Sequence, residues 1–275
     1  MRALIGGTSD TWRYDVYERL MVPALFGPSA ERLVTLLAPG PAARVLDVAC
    51  GTGIVTRTLA ATRDDIEVVG LDASVQMLDI ARRVAASSGH HVEFHHGSAE
   101  SLPFPDASFD AVTCAYGLMF FSDRAAAIRE MRRVLVPDGR VAFSTWQYLE
   151  RHPVHVGLAQ VVRAEWGATD IPEIFALGDP SHLRSLLEAA GFSDVEVRPE
   201  NVSARFTDSD DLLTFLRWEV DADLASLPGV GDGEVSERLA IGAHLVDKIA
   251  ALPSPPLSEH GLVPFHAWFA TARRG

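Results

Sequence analysis

The run Val-Leu-Asp-Val-Ala-Cys-Gly-Thr-Gly, Val45 to Gly53, constrains the fold more than any other part of the chain. Val45, Leu46 and Val48 have the apolar continuity of a strand buried on both faces, and Gly51 and Gly53 follow with a turn free of Cβ atoms against which a ligand can lie. Such a strand and turn, leading into a helix, open a doubly wound α/β sheet, whose ligands bind at the carboxyl ends of its strands. Asp47 lies inside this strand. An unpaired buried charge costs on the order of several kcal/mol, so Asp47 is expected to face the cleft and meet a positive group.

The turn distinguishes two kinds of nucleotide-like ligand. A dinucleotide fingerprint, Gly-x-Gly-x-x-Gly, needs a third glycine for close helix packing where this chain has Thr56. An acidic residue just before the glycines also repels a pyrophosphate, whereas it suits a ligand with an ammonium group, such as the methionine part of S-adenosylmethionine. These residues resemble the first motif of class I S-adenosylmethionine-dependent methyltransferases: apolar, apolar, acidic, apolar, Gly, x, Gly, x, Gly. Ala49 stands where that pattern has its first glycine, a departure that a strand end is expected to tolerate. The resemblance implies that Asp47, Ala49, Cys50, Gly51, Thr52 and Gly53 hold the cofactor.

A second apolar run, Ile66 to Leu71, ends in Asp72 about twenty residues beyond the glycine turn, where an acidic residue reaches ribose hydroxyls in a doubly wound fold. The following Ala73 to Ala86 has helical spacing, with Ser74 as its cap and Gly89 as its stop. In the family Asp72 would chelate the ribose hydroxyls, with Ala73 alongside, and Met77 would border the adenine or serve as ordinary core. Val92 to Phe104 reads as a short third strand and a loop, Gly-Ser-Ala-Glu-Ser-Leu-Pro-Phe, similar to the family's Gly-Asp-Ala-x-x-Leu-Pro-Phe. Ser98 replaces the acidic residue that would contact the adenine amino group, and a hydroxyl there, or the backbone around Ala99 and Glu100, is expected to take over. His90, His91, His95 and His96 crowd this strand, but adjacent strand residues point to opposite faces and no Cys or carboxylate stands at ligand spacing, so no metal site is expected.

Phe109 to Asp123 reads as a fourth buried strand, Asp110 to Ala115, and a loop that brings Ala115 and Tyr116 toward the methyl donor, with Phe120 either beside them or, like Phe121, plain packing. No Asn-Pro-Pro-Tyr tetrad occurs, which counts against methylation of an amide or base amino group. Arg124 to Trp146 gives an amphipathic helix, a Pro-Asp-Gly turn at Pro137 to Gly139 and a fifth strand from Arg140 to Thr145.

Composition narrows the partners. A formal charge of −13 and a pI near 5.1, with Lys248 the only lysine and the arginines scattered, argue against binding a phosphate backbone. Two cysteines, Cys50 and Cys114, make neither a disulfide framework nor a zinc set. A charged leader with an apolar stretch is missing, and no uninterrupted apolar run approaches a membrane span, so the expected location is the cytoplasm, with no membrane and no nucleic-acid partner.

Before the core, Thr11 to Pro39 suggests one or two helices broken near Pro23 and Pro28. Its Tyr14 and Tyr17 are cofactor-cleft candidates, and quinone-biosynthesis methyltransferases carry a similar Tyr-Asp segment; Trp12 and Phe26 read rather as core. Residues 1–43 are thus expected to be a helical segment covering the cofactor cleft, and 44–275 the methyltransferase domain with cap insertions at about 147–180 and 207–260. The helix Ser181 to Phe192 stops at Gly191, Ser193 to Phe206 alternates as an edge strand interrupted at Pro199, and Val263 to Arg273 returns as its antiparallel neighbour. Helices from Asp208 to Leu224 and Val235 to Leu252, separated by a turn at Gly229 to Gly233, complete the cap. The fold class is α/β: a Rossmann-like, doubly wound, mostly parallel seven-stranded sheet with an antiparallel last strand and helical cap insertions, which also offer a homodimer contact.

The resemblance implies an enzyme that moves a methyl group from S-adenosylmethionine to a hydroxyl or activated carbon of a small aromatic, quinone-like or secondary-metabolite acceptor. His152 and His155, just beyond the fifth strand, are the candidates for the base that a hydroxyl acceptor needs. Two rivals stay open at this point: a protein of the same fold that holds S-adenosylmethionine without transferring methyl, as a cyclase, decarboxylase or binding module, and an NAD(P)-dependent oxidoreductase.

Overall fold

The computed structural model describes residues 11–88, 92–166, 173–206, 209–224, 244, 248 and 262–275. In chain order these form α1 (Thr11–Val16), a π-helical stretch (Tyr17–Phe26), α2 (Gly27–Leu37), β1 (Arg44–Val48), α3 (Ile54–Thr62), β2 (Glu67–Asp72), α4 (Val75–Ser88), β3 (Glu93–His96) and β4 (Phe109–Ala115). There follow α5 (Arg124–Val134), β5 (Leu135–Trp146), α6 (Pro153–Trp166), α7 (Pro180–Ala189), β6 (Phe192–Arg205), α8 (Ser209–Leu224) and β7 (Leu262–Arg274). The turn at Gly229 to Gly233, His90, His91, Gly89 and, apart from His244 and Lys248, the helix from Val235 to Leu252 lie outside the described residues.

The strands make one seven-stranded sheet in the order β3-β2-β1-β4-β5-β7-β6. β1 pairs in parallel with β2 and with β4, and β5 pairs in parallel with β4 but antiparallel with β7. The direction of winding therefore reverses between β1 and β4, which is where an open α/β sheet leaves a crevice for ligand.

Contacts divide the chain into two compact units. The larger comprises Phe26–Tyr148, Glu173–Asn201 and His266–Gly275. One face of its sheet buries Leu46, Val48, Val69, Val112 and Phe143 against Ile128 and Met131 of α5 and Leu183 and Leu187 of α7. Each such fully buried side chain is worth about 2 kcal/mol of apolar burial. The period of two along each strand sends Val45, Asp47 and Val68 to the opposite face. The local signals work as chemistry dictates. Ser74 caps α4 by accepting the Met77 N–H at 3.2 Å, Asp179 caps α7 by accepting that of Ser181 at 2.8 Å, and Gly191 ends α7 with φ 86°.

The smaller unit comprises Met1–Leu25, Leu149–Pro172 and Val202–Phe265. Within it the Trp218 indole N–H donates to the Arg13 carbonyl at 3.0 Å, the Tyr17 ring lies 6.0 Å from that of Trp218, and Phe215 packs on Phe206 and Phe265.

Some elements differ from what local pattern predicts. The N-terminal helix is not broken at Pro23: the wider π turns of Tyr17–Phe26 carry it through. A proline removes one N–H and crowds the preceding turn, and a wider turn absorbs both effects. Pro28 sits in the first turn of α2, where no N–H is missed. β5 begins at Leu135, before the Pro-Asp-Gly turn, because Phe109 pairs with Leu135 and Ala111 with Arg140, leaving Val136 to Gly139 as a bulge opposite Asp110. β6 runs through Pro199 without a break, as an edge strand permits.

Candidate active site

Three left-handed residues in five positions shape the turn after β1: Ala49 (φ 56°), Gly51 (φ 56°) and Gly53 (φ 81°). The turn is tied to the end of β2, since the Cys50 N–H donates to the Leu71 carbonyl at 3.0 Å. A methyl group on Gly53 would lie 3.0 Å from the Phe94 ring, a tight contact added to a left-handed backbone that already favours glycine.

Ala49 is not the relaxed strand end that the sequence suggested. It holds a conformation that costs an L-residue roughly 1–2 kcal/mol, and its methyl group faces Gly117, where an added Cβ would come within 2.6 Å of it. Replacing Ala49 with glycine removes the strain at the expense of extra freedom in the unfolded chain. Ala49→Gly is expected to raise stability by about 0.5–1 kcal/mol, read as a higher urea midpoint at unchanged slope. A lower midpoint would mean that the methyl group's packing outweighs the strain.

Asp72, at the tip of β2, accepts the Gly51 N–H at 2.8 Å through Oδ2 and the Ser74 N–H at 2.8 Å through Oδ1. One carboxylate thereby couples the glycine turn to the start of α4. Burial raises its pKa, opposed by the N–H groups of Ser74, Gly51 and Ala73. Asp72 lines a cavity of about 340 Å³ together with Ala49, Leu71, Ala73, the segment Gly97 to Glu100, Gly117 and the segment Phe120 to Ser122. Among the described residues lining it, the charged ones are Asp72 and Glu100, so the walls favour hydroxyl and amine donors and disfavour phosphate.

Asp47 has other neighbours than those expected. It is 1 % exposed; Oδ2 accepts the Thr56 hydroxyl at 2.7 Å and Oδ1 that of Thr113 at 2.8 Å. Its partners among the described residues are thus two threonines, Thr56 through both hydroxyl and backbone N–H and Thr113 through its hydroxyl, rather than a cation. Burial pushes its pKa up to about 6, the two threonines pull it back, and the Asp72 charge adds to the rise. Thr56, which stands where a dinucleotide site needs glycine, is the residue that holds this carboxylate.

The remaining sequence-predicted residues fall into three groups. Ala73, Ser98, Ala99 and Glu100 line the cavity with Ala49 and Asp72. Ser98 accepts the Glu100 N–H at 3.2 Å. Cys50 is buried, with its thiol pushed up in pKa by burial, and the Thr52 hydroxyl is buried without a hydrogen-bond partner among the described residues. Met77 is half-buried beside its cap, and Ala115 ends β4 opposite Ser144.

Tyr116 follows in a left-handed conformation (φ 51°). Its ring stacks on Trp146 at 4.1 Å, its edge contact with Phe26 is 5.5 Å, and its hydroxyl pairs with that of Ser29 at 3.0 Å. Such strain in a bulky residue persists only where the surroundings over-determine it. Burial pushes the phenol well above its usual pKa.

Tyr14, Tyr17, His152 and His155 belong to the smaller unit. The histidines are 1 % and 3 % exposed, and each packs edge-on against Phe265 at 5.8 Å. Trp12 has no described side chain. Leu71, Gly97, Gly117 and Ser122 complete the cavity and were not singled out from sequence, and Phe121, which reads from sequence as packing, also lines it. Phe120, named from sequence, is a large apolar residue of this lining that is left 58 % exposed.

Known proteins resemble this chain in sequence and in fold. A methyltransferase domain model matches residues 45–139, from β1 through β4 and α5 to the bulge in β5. The demethylmenaquinone methyltransferase of Deinococcus radiodurans is 37% identical over 199 residues, which is 66% of this chain and 80% of that protein. The chain is a class I S-adenosylmethionine-dependent methyltransferase. Among solved structures, the YcgJ protein of Bacillus subtilis has a TM-score of 0.55 at 23% identity, covering 90% of this chain and 98% of that one. The Haemonchus contortus phosphoethanolamine N-methyltransferase 2, solved with S-adenosyl-L-methionine, has a TM-score of 0.60 at 16% identity, covering 98% of this chain and 57% of that one.

The methyltransferase's own residues fit its methyl donor. The turn carries no Cβ at Gly51 and Gly53, the carboxylate of Asp72 borders the cavity, and no basic residue appears among the described ones lining it.

Proposed function

We propose that the enzyme methylates an oxygen or activated carbon of a small aromatic, quinone-like acceptor. The observation that carries this reading is the 37% identity to a demethylmenaquinone methyltransferase across 80% of that protein's length. A cytoplasmic location belongs to the same reading. The helical stretch Arg13–Leu37 is long and apolar enough to cross a membrane by length and composition, yet half of its most apolar window is buried within the protein, as in a core helix.

When bound, the donor supplies a methyl group already activated on a positively charged sulfur. The chain's share is to bind, orient and exclude water. In this reading Asp72 holds the ribose hydroxyls, the Gly51 to Gly53 backbone and Asp47 serve the amino-acid end, and Ser98, Ala99 and Glu100 edge the adenine. The acidic walls favour a ligand that is cationic at its reacting end.

Incubation with S-adenosylmethionine and a panel of naphthoquinols, benzoquinols and simple phenols tests the proposal, with S-adenosylhomocysteine and methylated product followed by mass spectrometry. Methylated quinol is the expected product. Donor binding with no product from any quinol or phenol would refute the acceptor class.

Proton removal from a hydroxyl acceptor was the sequence-based role for His152 and His155. Their burial against Phe265 supports a packing role instead. Replacing both with alanine is expected to cost about 2–4 kcal/mol of stability and to leave turnover per folded enzyme within about threefold of wild type. A loss of turnover above about 100-fold at unchanged thermal midpoint would restore them as general bases.

A further inference from the structure

Gly97 to Glu100 form one wall of the donor cavity, and the loop they begin, which runs on to Asp106, is irregular apart from a single bridge between Ser98 and Ser101. A loop without a ladder must satisfy its polar groups elsewhere, and here α5 supplies the partners. At the start of the helix the Glu100 carboxylate accepts the Asp123 N–H at 2.8 Å. Near its end, Arg133 directs its guanidinium onto the same loop: Nη1 donates to the Phe104 carbonyl at 2.9 Å and to Asp106 at 2.7 Å, and Nη2 to the Leu102 carbonyl at 3.0 Å.

Glu130 completes the clamp. It receives Arg133 Nε at 2.7 Å and Nη2 at 2.8 Å, and its Oε2 also accepts the Leu102 N–H at 2.8 Å. Behind it, the Arg133 carbonyl accepts the Ala107 N–H at 3.0 Å. The planar fork of arginine suits this task because its donors are fixed relative to one another, whereas lysine offers a single mobile point charge.

Both residues remain partly open to water, with side-chain exposures of 29% and 22%. An ion pair of that kind contributes little to global stability. Its effect is geometric: it fixes the loop that carries Ser98, Ala99 and Glu100.

We infer that Glu130 and Arg133 are positioning residues for the adenine end of the methyl donor, acting through the Gly97 to Asp106 loop without touching the ligand. This rests on the donor assignment given above. It separates the pair from residues that merely stabilise the fold, because its consequence is base discrimination.

The test is calorimetric titration of wild type, Arg133→Met, Arg133→Lys and Glu130→Gln with S-adenosylhomocysteine and with S-inosylhomocysteine, which replaces the adenine amino group by oxygen. Thermal midpoints are measured on the same samples. Wild type is expected to prefer the adenine ligand. In Arg133→Met its affinity falls about tenfold, while that for the inosine ligand changes less than about threefold, so the preference shrinks. Arg133→Lys behaves like Arg133→Met, and Glu130→Gln lies between.

An equal fall for both ligands, or no fall in any folded variant, overturns the inference. So does full rescue by lysine, because the fork would then be irrelevant. If wild type bound neither ligand, the donor assignment itself would fail, which is a separate outcome.

Discussion

Asp72→Ala is expected to lower S-adenosylhomocysteine affinity about 100-fold in calorimetric titration. Hydrogen bonds to a charged acceptor are worth about 1.5–3 kcal/mol each, and in the proposed placement of the donor Asp72 accepts from two ribose hydroxyls. The same carboxylate accepts the N–H groups of Gly51 and Ser74 at 2.8 Å each, so its removal also frees the turn that faces the donor. Asp72→Asn keeps one acceptor oxygen and loses the charge, and its affinity should fall between the two. A loss below about fivefold for the alanine variant, well under one such hydrogen bond, would mean that Asp72 does not serve the ribose.

The second large effect concerns stability. The native pKa of Asp47 is raised from 3.8 to about 6 by burial. Between those values the folded protein holds a proton that the unfolded chain has released, so the Asp47 contribution makes stability fall as pH rises through the window. The loss levels off above pH 6. A rise of roughly two units corresponds to about 3 kcal/mol.

Asp47→Asn removes this dependence. Compared with wild type, the variant's relative stability should climb by about that amount between pH 4 and pH 6.5 in urea unfolding. Taking the difference between the two proteins cancels the carboxylates that are not coupled to Asp47, such as Asp65, held down to about 2 by the Arg63 guanidinium. A flat difference across the window would show that the two threonine hydroxyls already compensate for the burial of the charge. The same variant is expected to bind the donor more weakly, which would make Asp47 a group kept for binding at the cost of stability.

Much of the fold is legible because its signals are local. The apolar runs of β1, β2 and β4, the glycines after β1, the Ser74 cap and the Gly191 stop each act within a few residues, and a period of two or a left-handed glycine means the same thing in any chain. Asp72 belongs to this class. Its position at the tip of a strand after a glycine turn places it without reference to distant residues.

The partners of Asp47 do not belong to it. Thr113 lies 66 residues away and becomes a neighbour only because β4 pairs beside β1 rather than beside β3. The left-handed backbone of Ala49 and Tyr116, and the packing of His152 and His155 on Phe265, are likewise products of tertiary contact. Arg133 falls in a run that reads from sequence only as an amphipathic helix, and its contacts became visible only once the loop it clamps was folded against α5.

The sequence by itself determined the order of strands and helices, the glycine turn after β1 and the acid at the tip of β2, because covalent neighbours and side-chain periodicity decide those. Only the tertiary structure decided which group each buried polar atom meets. That choice depends on strand order and helix packing, which bring together residues that no local pattern connects.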